Sequence, residues 1–230
     1  TKRLGRRAVM APALAPLWLR LTRDSAAVLM LHRFEDREAG TPGHSPEVLA
    51  AHLEYLRKHD YQIEPLDVLV ERMLCGEPPR PRSVAITIDD GYRDFVRVGV
   101  PVLAQYDCPA TLFLVTGFVD GECWLWYDAV QYLMGDAAQG DVRFAVGEVE
   151  ERVMWRTPAE RHERTWALIE RLKRVPDAVM RTSLASLSSA TGITLPAVPP
   201  ARFAPLTWDE VRAWGQRGMT FGAHSRTHPI

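Results

Sequence analysis

Apolar positions along this chain come in two alternating patterns. The first is an unbroken run of strand length, seen at residues 26–31, 84–88 and 109–115. Runs of this kind are expected where a strand is covered on both faces, and 26–31, ending at His32-Arg33, is predicted to be a central strand of that type. The second pattern is helical. Ser45-Pro46-Glu47 supplies a cap, a first-turn proline and an acid, after which Val48, Leu49, Leu53 and Leu56 recur at helical spacing to about His59. A short strand at 61–64 and a helix at 67–75 follow, the helix stopped by Gly76-Glu77-Pro78-Pro79. Residues 92–106 also have a helical pattern, with Pro101 expected to kink the helix or restart its next turn. Strands alternating with helices at this pitch predict βαβ units and a mostly parallel sheet with right-handed crossovers.

Between about residues 119 and 205 the pattern changes. Trp124-Leu125-Trp126-Tyr127 opens a helical stretch to Met134, a charged alternation at 142–149 predicts a hairpin, and helical patterns follow at 158–175 and 176–191, the first capped by Thr157. Residues 195–205 are rich in proline and predict an extended connector. The region is expected to be an insertion on the sheet scaffold, its aromatics either packing it against the core or lining a substrate groove. The parallel pattern then returns. Thr207 and Glu210 have the spacing of a capping box, Gly218 stops that helix at about Arg217, and a strand at 219–223 leads to His224.

The chain has 230 residues, 47% of them apolar, which is enough for a substantial core. With 28 basic and 29 acidic side chains the net charge is −1, so no global attraction to nucleic acid or anionic membrane is expected. Cys75, Cys108 and Cys123 are odd in number and lack a Cys-x-x-Cys pattern, which favours a reducing compartment and a cytoplasmic or cytoplasmic-face location, with the cell envelope as the alternative. Residues 1–25 read as a basic and then apolar leader helix. A secretory signal, a helix packed on the domain and an amphipathic helix making peripheral membrane contact are the open readings, and no integral span is expected.

Two motifs carry candidate chemistry. The strand at 84–88 delivers Asp89-Asp90-Gly91 to its own end. Adjacent carboxylates leaving a buried strand repel one another and lose water, so a cation, a hydrogen-bond network or a shared proton must offset the cost. The second motif is His224-Ser225-Arg226-Thr227-His228-Pro229, in which a spacing of four brings both imidazoles to one ion if a single helical turn follows the strand. One carboxylate and two histidines make a three-ligand set for a divalent ion. The other carboxylate is then free to take a proton from a water that the metal activates.

Together with Pro109-Ala110-Thr111 before Leu112-Phe113, the strand end Met30-Leu31-His32-Arg33 and the turn Thr116-Gly117-Phe118, these motifs resemble the polysaccharide deacetylase family, also known as the NodB-homology or carbohydrate esterase 4 family. The likeness is to its bacterial exopolysaccharide and surface-glycan members and covers residues 28–118 and 206–229. It implies an α/β fold, a distorted (β/α) barrel of fewer than eight strands to which 26–230 contribute an expected incomplete part, lacking its C-terminal portion and carrying the insertion at about 119–205, and removal of N-acetyl groups from a poly- or oligosaccharide. It implies Asp89 as general base, Asp90, His224 and His228 as ligands of a divalent metal, most often zinc, and places His32 and Tyr92 near the substrate. Ile88 stands where the family usually has phenylalanine. The family's arginine-proline-tyrosine segment and its general-acid histidine are expected beyond residue 230, so these 230 residues alone are expected to be poorly active. The rival readings are a catalytically inactive carbohydrate-binding relative and a deacylase of a small amide or of peptidoglycan. No nucleic-acid role is expected.

Overall fold

The computed structural model describes residues 20–22, 24–137 and 140–229. Most of the expected leader helix, and with it the expected membrane contact, lies outside the described residues. No helix among the described residues is long and apolar enough to cross a membrane.

The central element is β3 (Ser83–Ile88), buried at all six positions. It pairs in parallel with β1 (Ala27–Leu31) on one flank, and on the other with β2 (Gln62–Ile63) at its start and β4 (Thr111–Leu114) at its end. β7 (Thr220–Ala223) then pairs in parallel with β4, giving the order β1-β3-β4-β7 with β2 beside β3. The expected α/β class and parallel sheet are therefore present, and among the described residues the sheet is open, with β1 and β7 at its edges. Val84, Ile86 and Ile88 are each at most 3% exposed. Burial of such side chains contributes about 1.5–3 kcal/mol each, which fixes the register of the strand that carries the carboxylates.

Crossover helices cover this sheet. α1 (Pro46–Lys58) begins with the Ser45 hydroxyl accepting from the Val48 N–H and buries Leu49, Leu53 and Leu56, as its periodicity predicts. α2 is Leu66–Leu74. After β3 the chain makes a wide π turn at Phe95–Gly99 before α3 (Val100–Gln105), so Pro101 sits in the first turn of a restarted helix, where its missing N–H costs little. A short helix, α4 (Thr116–Val119), follows β4, and α8 (Trp208–Gly215) precedes β7 with the expected capping box between Thr207 and Glu210.

One expectation fails. The run at 26–31 is not covered on both faces: Val28 is 51% and Met30 59% exposed. β1 has a neighbour only in β3, and among the described residues nothing pairs with its other edge. An unbroken apolar run records what a strand tolerates, not which elements lie against it.

Residues 126–195 build a second apolar cluster. α5 (Trp126–Gly135), α6 (Pro158–Leu172) and α7 (Asp177–Thr191) pack with an antiparallel hairpin, β5 (Asp141–Val146) and β6 (Val149–Met154), around Leu133, Phe144, Ile169 and Leu187. A third, small cluster of Tyr92, Val115, Phe118 and Leu125 lies against it, and Tyr127 packs against both. The connector after α7 contains one tight helical turn at Ala201–Phe203 and docks on the sheet through Leu206 N–H to Gly91 C=O (2.9 Å) and Arg93 N–H to Ala204 C=O (3.0 Å).

Candidate metal centre

The two motifs meet at the carboxyl ends of β3 and β7, brought together by β4 between them. At the end of β3, Asp90 has φ 79° and Gly91 φ 89°, so two successive left-handed residues turn the chain sharply and swing the Asp90 carboxylate inward. This conformation is uncommon for aspartate and is held in place by its surroundings. Val115 N–H donates to the Asp90 carbonyl (3.2 Å) and Asp89 N–H to the Leu31 carbonyl (3.0 Å). A side chain at Gly91 would also meet Leu114 Cδ2 at 2.8 Å.

The histidine loop is clamped onto the end of β4. His224 N–H donates to the Leu114 carbonyl (2.7 Å), Thr116 N–H to Ser225 (3.1 Å) and Gly117 N–H to Arg226 (2.9 Å). Gly117 allows that approach, because a Cβ there would lie 2.7 Å from the Arg226 carbonyl oxygen. The expected single helical turn after the strand does not form. Ser225 (φ 62°) and His228 (φ 52°) are left-handed, and His228 N–H donates to the Ser225 hydroxyl (3.0 Å). A polar turn of this kind returns His228 toward His224 as a helix would, leaving the ring centroids 5.0 Å apart.

Asp90, His224 and His228 offer ligand atoms within 4.8 Å of one another. Asp90 Oδ1 is buried without a hydrogen-bond partner and lies 3.7 Å from His224 Nε2 and 3.5 Å from His228 Nε2. Donors about 2.0–2.1 Å from a tetrahedral zinc ion stand about 3.3–3.5 Å apart, so this orphaned oxygen and the two nitrogens fit one divalent cation. The other Asp90 oxygen, Oδ2, accepts from the Tyr127 hydroxyl at 2.6 Å. Asp89, 7% exposed, is left outside the donor set. Burial pushes its carboxyl above the ordinary range, while the facing His224, His32 and His228 pull it down and Asp90 pushes it up.

Of the remaining expected residues, His32 is exposed at the end of β1 and lines a cavity of about 620 Å³ that reaches Asp90 and His228. Tyr92 is 1% exposed. Its hydroxyl donates to Asp128 Oδ2 at 2.5 Å, and its ring lies 3.7 Å beneath the Arg33 guanidinium. Arg33 in turn donates from Nε to Asp94 Oδ2 (2.6 Å), whose Oδ1 accepts the Phe34 N–H (3.1 Å).

Tyr127 and Asp128 were not foreseen as site residues. They come from α5, between β4 and β7 in the chain, and Trp126 from the same turn walls the cavity. Burial pushes the Asp128 carboxyl up to about 7, against the Tyr92 hydrogen bond and the Arg33 charge, which pull it down. The signal available in the sequence was an acid directly after Trp124-Leu125-Trp126-Tyr127, where aromatic packing alone gives no reason for a carboxylate.

A parallel sheet whose strand ends bring an Asp-His-His group together beside a second carboxylate defines an α/β protein with a candidate site for a divalent cation. More narrowly, the chain belongs to the polysaccharide deacetylase family, whose pattern matches residues 76–230 and so spans Asp89, Asp90, His224 and His228 but not His32. No curated protein sequence matches it. Among solved structures it is similar to a de-N-acetylase from Aggregatibacter actinomycetemcomitans, at 16% identity over 87% of this chain and 53% of that one (TM-score 0.45). It is also similar to the Streptococcus pyogenes deacetylase PplD in complex with acetate, at 16% identity over 83% and 79% of the two chains (TM-score 0.36). IcaB from Ammonifex degensii matches at 20% identity over 84% and 97% (TM-score 0.38). The chain thus spans about half the length of the first of these, 53%.

Proposed function

We propose that this protein is a metal-dependent hydrolase that removes N-acetyl groups from a poly- or oligosaccharide, consuming water and yielding acetate and a free amine. The observation that carries the reading is the buried, unpartnered Asp90 Oδ1 facing two histidine Nε2 atoms, with a second carboxylate beside it, inside the region matched by the family. Asp90, His224 and His228 would hold the ion, most simply zinc. Bound there, a divalent cation supplies positive charge that acidifies water and polarises an amide carbonyl.

The chain's own residues do the rest. Asp89 takes the proton of the attacking water on its carboxylate, and its partly desolvated position makes it a better base than a solvated aspartate. Tyr127 fixes the rotamer of Asp90 by occupying Oδ2. Trp126, Tyr127 and Phe203 line the cavity next to the donor set and exclude bulk water from the acetamide. His32 lies on the cavity lining where a sugar hydroxyl would reach it, whereas Tyr92, held by Asp128, shapes the floor.

Acetate release from tetra-N-acetylchitotetraose by the zinc-loaded full chain tests this reading. Asp89→Asn is expected to lower the rate at least about 100-fold, in the range of a lost general base, while zinc content stays at the wild-type level. Turnover that survives Asp89→Asn would overturn it.

A further inference from the structure

The cavity beside the donor set does not end at the metal ligands. A second hollow of about 230 Å³ adjoins it on the side of the inserted helices, and the two share Gln131, Trp166 and Arg202. The outer hollow is lined by Arg161 and His162 of α6 and by Arg202 of the connector, and no carboxylate lines it. That is an unusual concentration of one sign in a chain whose net charge is −1.

The cations nearer the metal are already engaged. Arg33 is paired with Asp94, and Lys173 with Glu170 (2.5 Å). Asp128, the acid on the inner wall, is occupied by Tyr92 and by Gln131 Nε2 (3.2 Å). Arg161 and Arg202 have no carboxylate within ion-pair distance among the described residues, and the Arg202 charge reaches Asp128 only at longer range. The Arg202 guanidinium instead rests 4.4 Å above the Phe203 ring, which keeps the planar group oriented. Trp166, 43% exposed, lines both hollows, with its ring edge-on to His162 at 6.3 Å. An exposed indole face offers flat apolar area to the C–H face of a sugar ring, and paired guanidinium groups suit the planar, multidentate oxygens of a carboxylate or phosphate.

We infer that the outer hollow is a subsite for an anionic sugar unit of the substrate, carrying a carboxylate or a phosphate. Trp166 stacks on the ring of that unit and Arg161 and Arg202 hold its charge, while the neighbouring acetamide lies at the metal centre. The inference rests on the deacetylase reading for the place of the acetamide, but the subsite itself is a matter of binding. The inserted region would then select which glycan enters, and the sheet would supply the chemistry.

Calorimetric titration of the zinc-loaded full chain separates the two. The probes are tetra-N-acetylchitotetraose, which is neutral, a hyaluronan tetrasaccharide, which carries carboxylates, and N,N'-diacetylchitobiose 1-phosphate. At least one anionic probe is expected to bind about tenfold more tightly than tetra-N-acetylchitotetraose, as for one charge-assisted contact. The double variant Arg161→Ala/Arg202→Ala is expected to narrow that difference to within about twofold, and raising the salt to narrow it in wild type. Trp166→Ala is expected to weaken both classes of probe. Equal binding of all three probes, or a preference that persists in the double variant, would overturn the subsite. So would inorganic phosphate binding as tightly as N,N'-diacetylchitobiose 1-phosphate, since that would leave no role for the sugar. Preference without acetate release from any probe would count against the deacetylase reading alone; acetate release without preference would count against the subsite alone.

Discussion

Asp90 is constrained through both of its carboxylate oxygens. Oδ1 faces the two imidazoles with no other partner, and Oδ2 accepts from Tyr127, so the side chain cannot rotate without losing one set of contacts. Hydrogen bonds to metal-binding carboxylates orient them and raise affinity, and their loss typically costs about 10–100-fold in binding. Tyr127→Phe keeps the ring and its packing and removes only the hydroxyl. Zinc affinity measured by chelator competition is therefore expected to fall within that range while the fold persists; an affinity within about twofold of wild type would mean that Asp90 is oriented by its backbone alone. Asp89, one residue away, faces the same histidines from outside the donor set, and the different positions of these two neighbours follow from the left-handed φ of 79° at Asp90.

At the scale of elements, β3, β4 and β7 act as one scaffold and α5 as a brace. The strand β3 and its terminal Asp-Asp-Gly were legible because an apolar run of strand length leads straight into two acids and a glycine, and the capping box and the Ser45 cap were legible because capping is local chemistry. The coverage of β1 was not, since it depends on which strands lie beside it. The left-handed turn through Ser225 and His228 was also hidden, because a spacing of four is compatible with either a helical turn or a folded loop. Nor did periodicity register the brace: Tyr127 and Asp128 contact partners more than 30 positions away. That brace has a pH signature. The ordinary aspartate value is about 3.9 and burial raises Asp128 to about 7, so its contribution to stability is fully present below about pH 4 and is lost as pH rises through 7. In metal-free protein Asp128→Asn carries no such loss. Its melting temperature is expected to gain on wild type between pH 5 and 8, and a difference that stays constant across that range would contradict the raised value.

For the whole molecule, the sequence motifs were enough to find the candidate ligands but not the cavity. Asp89 and Asp90 stand more than 130 positions before His224, and only the parallel order β3-β4-β7 makes them neighbours. The cavity, in contrast, is walled in part by α5, α6 and the connector, whose aromatics read equally well as packing until their positions are known. A scaffold that supplies the candidate ligands and a helical region between β4 and β7 that braces the site are different contributions, and they should separate by mutation.

The claim on which all of this depends is that Asp90, His224 and His228 bind one divalent ion and that Asp89 does not take part in binding it. Zinc titration of the metal-free full chain by calorimetry tests it directly. The account predicts one zinc per chain, retained in Asp89→Asn and lost in Asp90→Ala and in His228→Ala. Zinc binding that survives His228→Ala, or that disappears with Asp89→Asn, would contradict it.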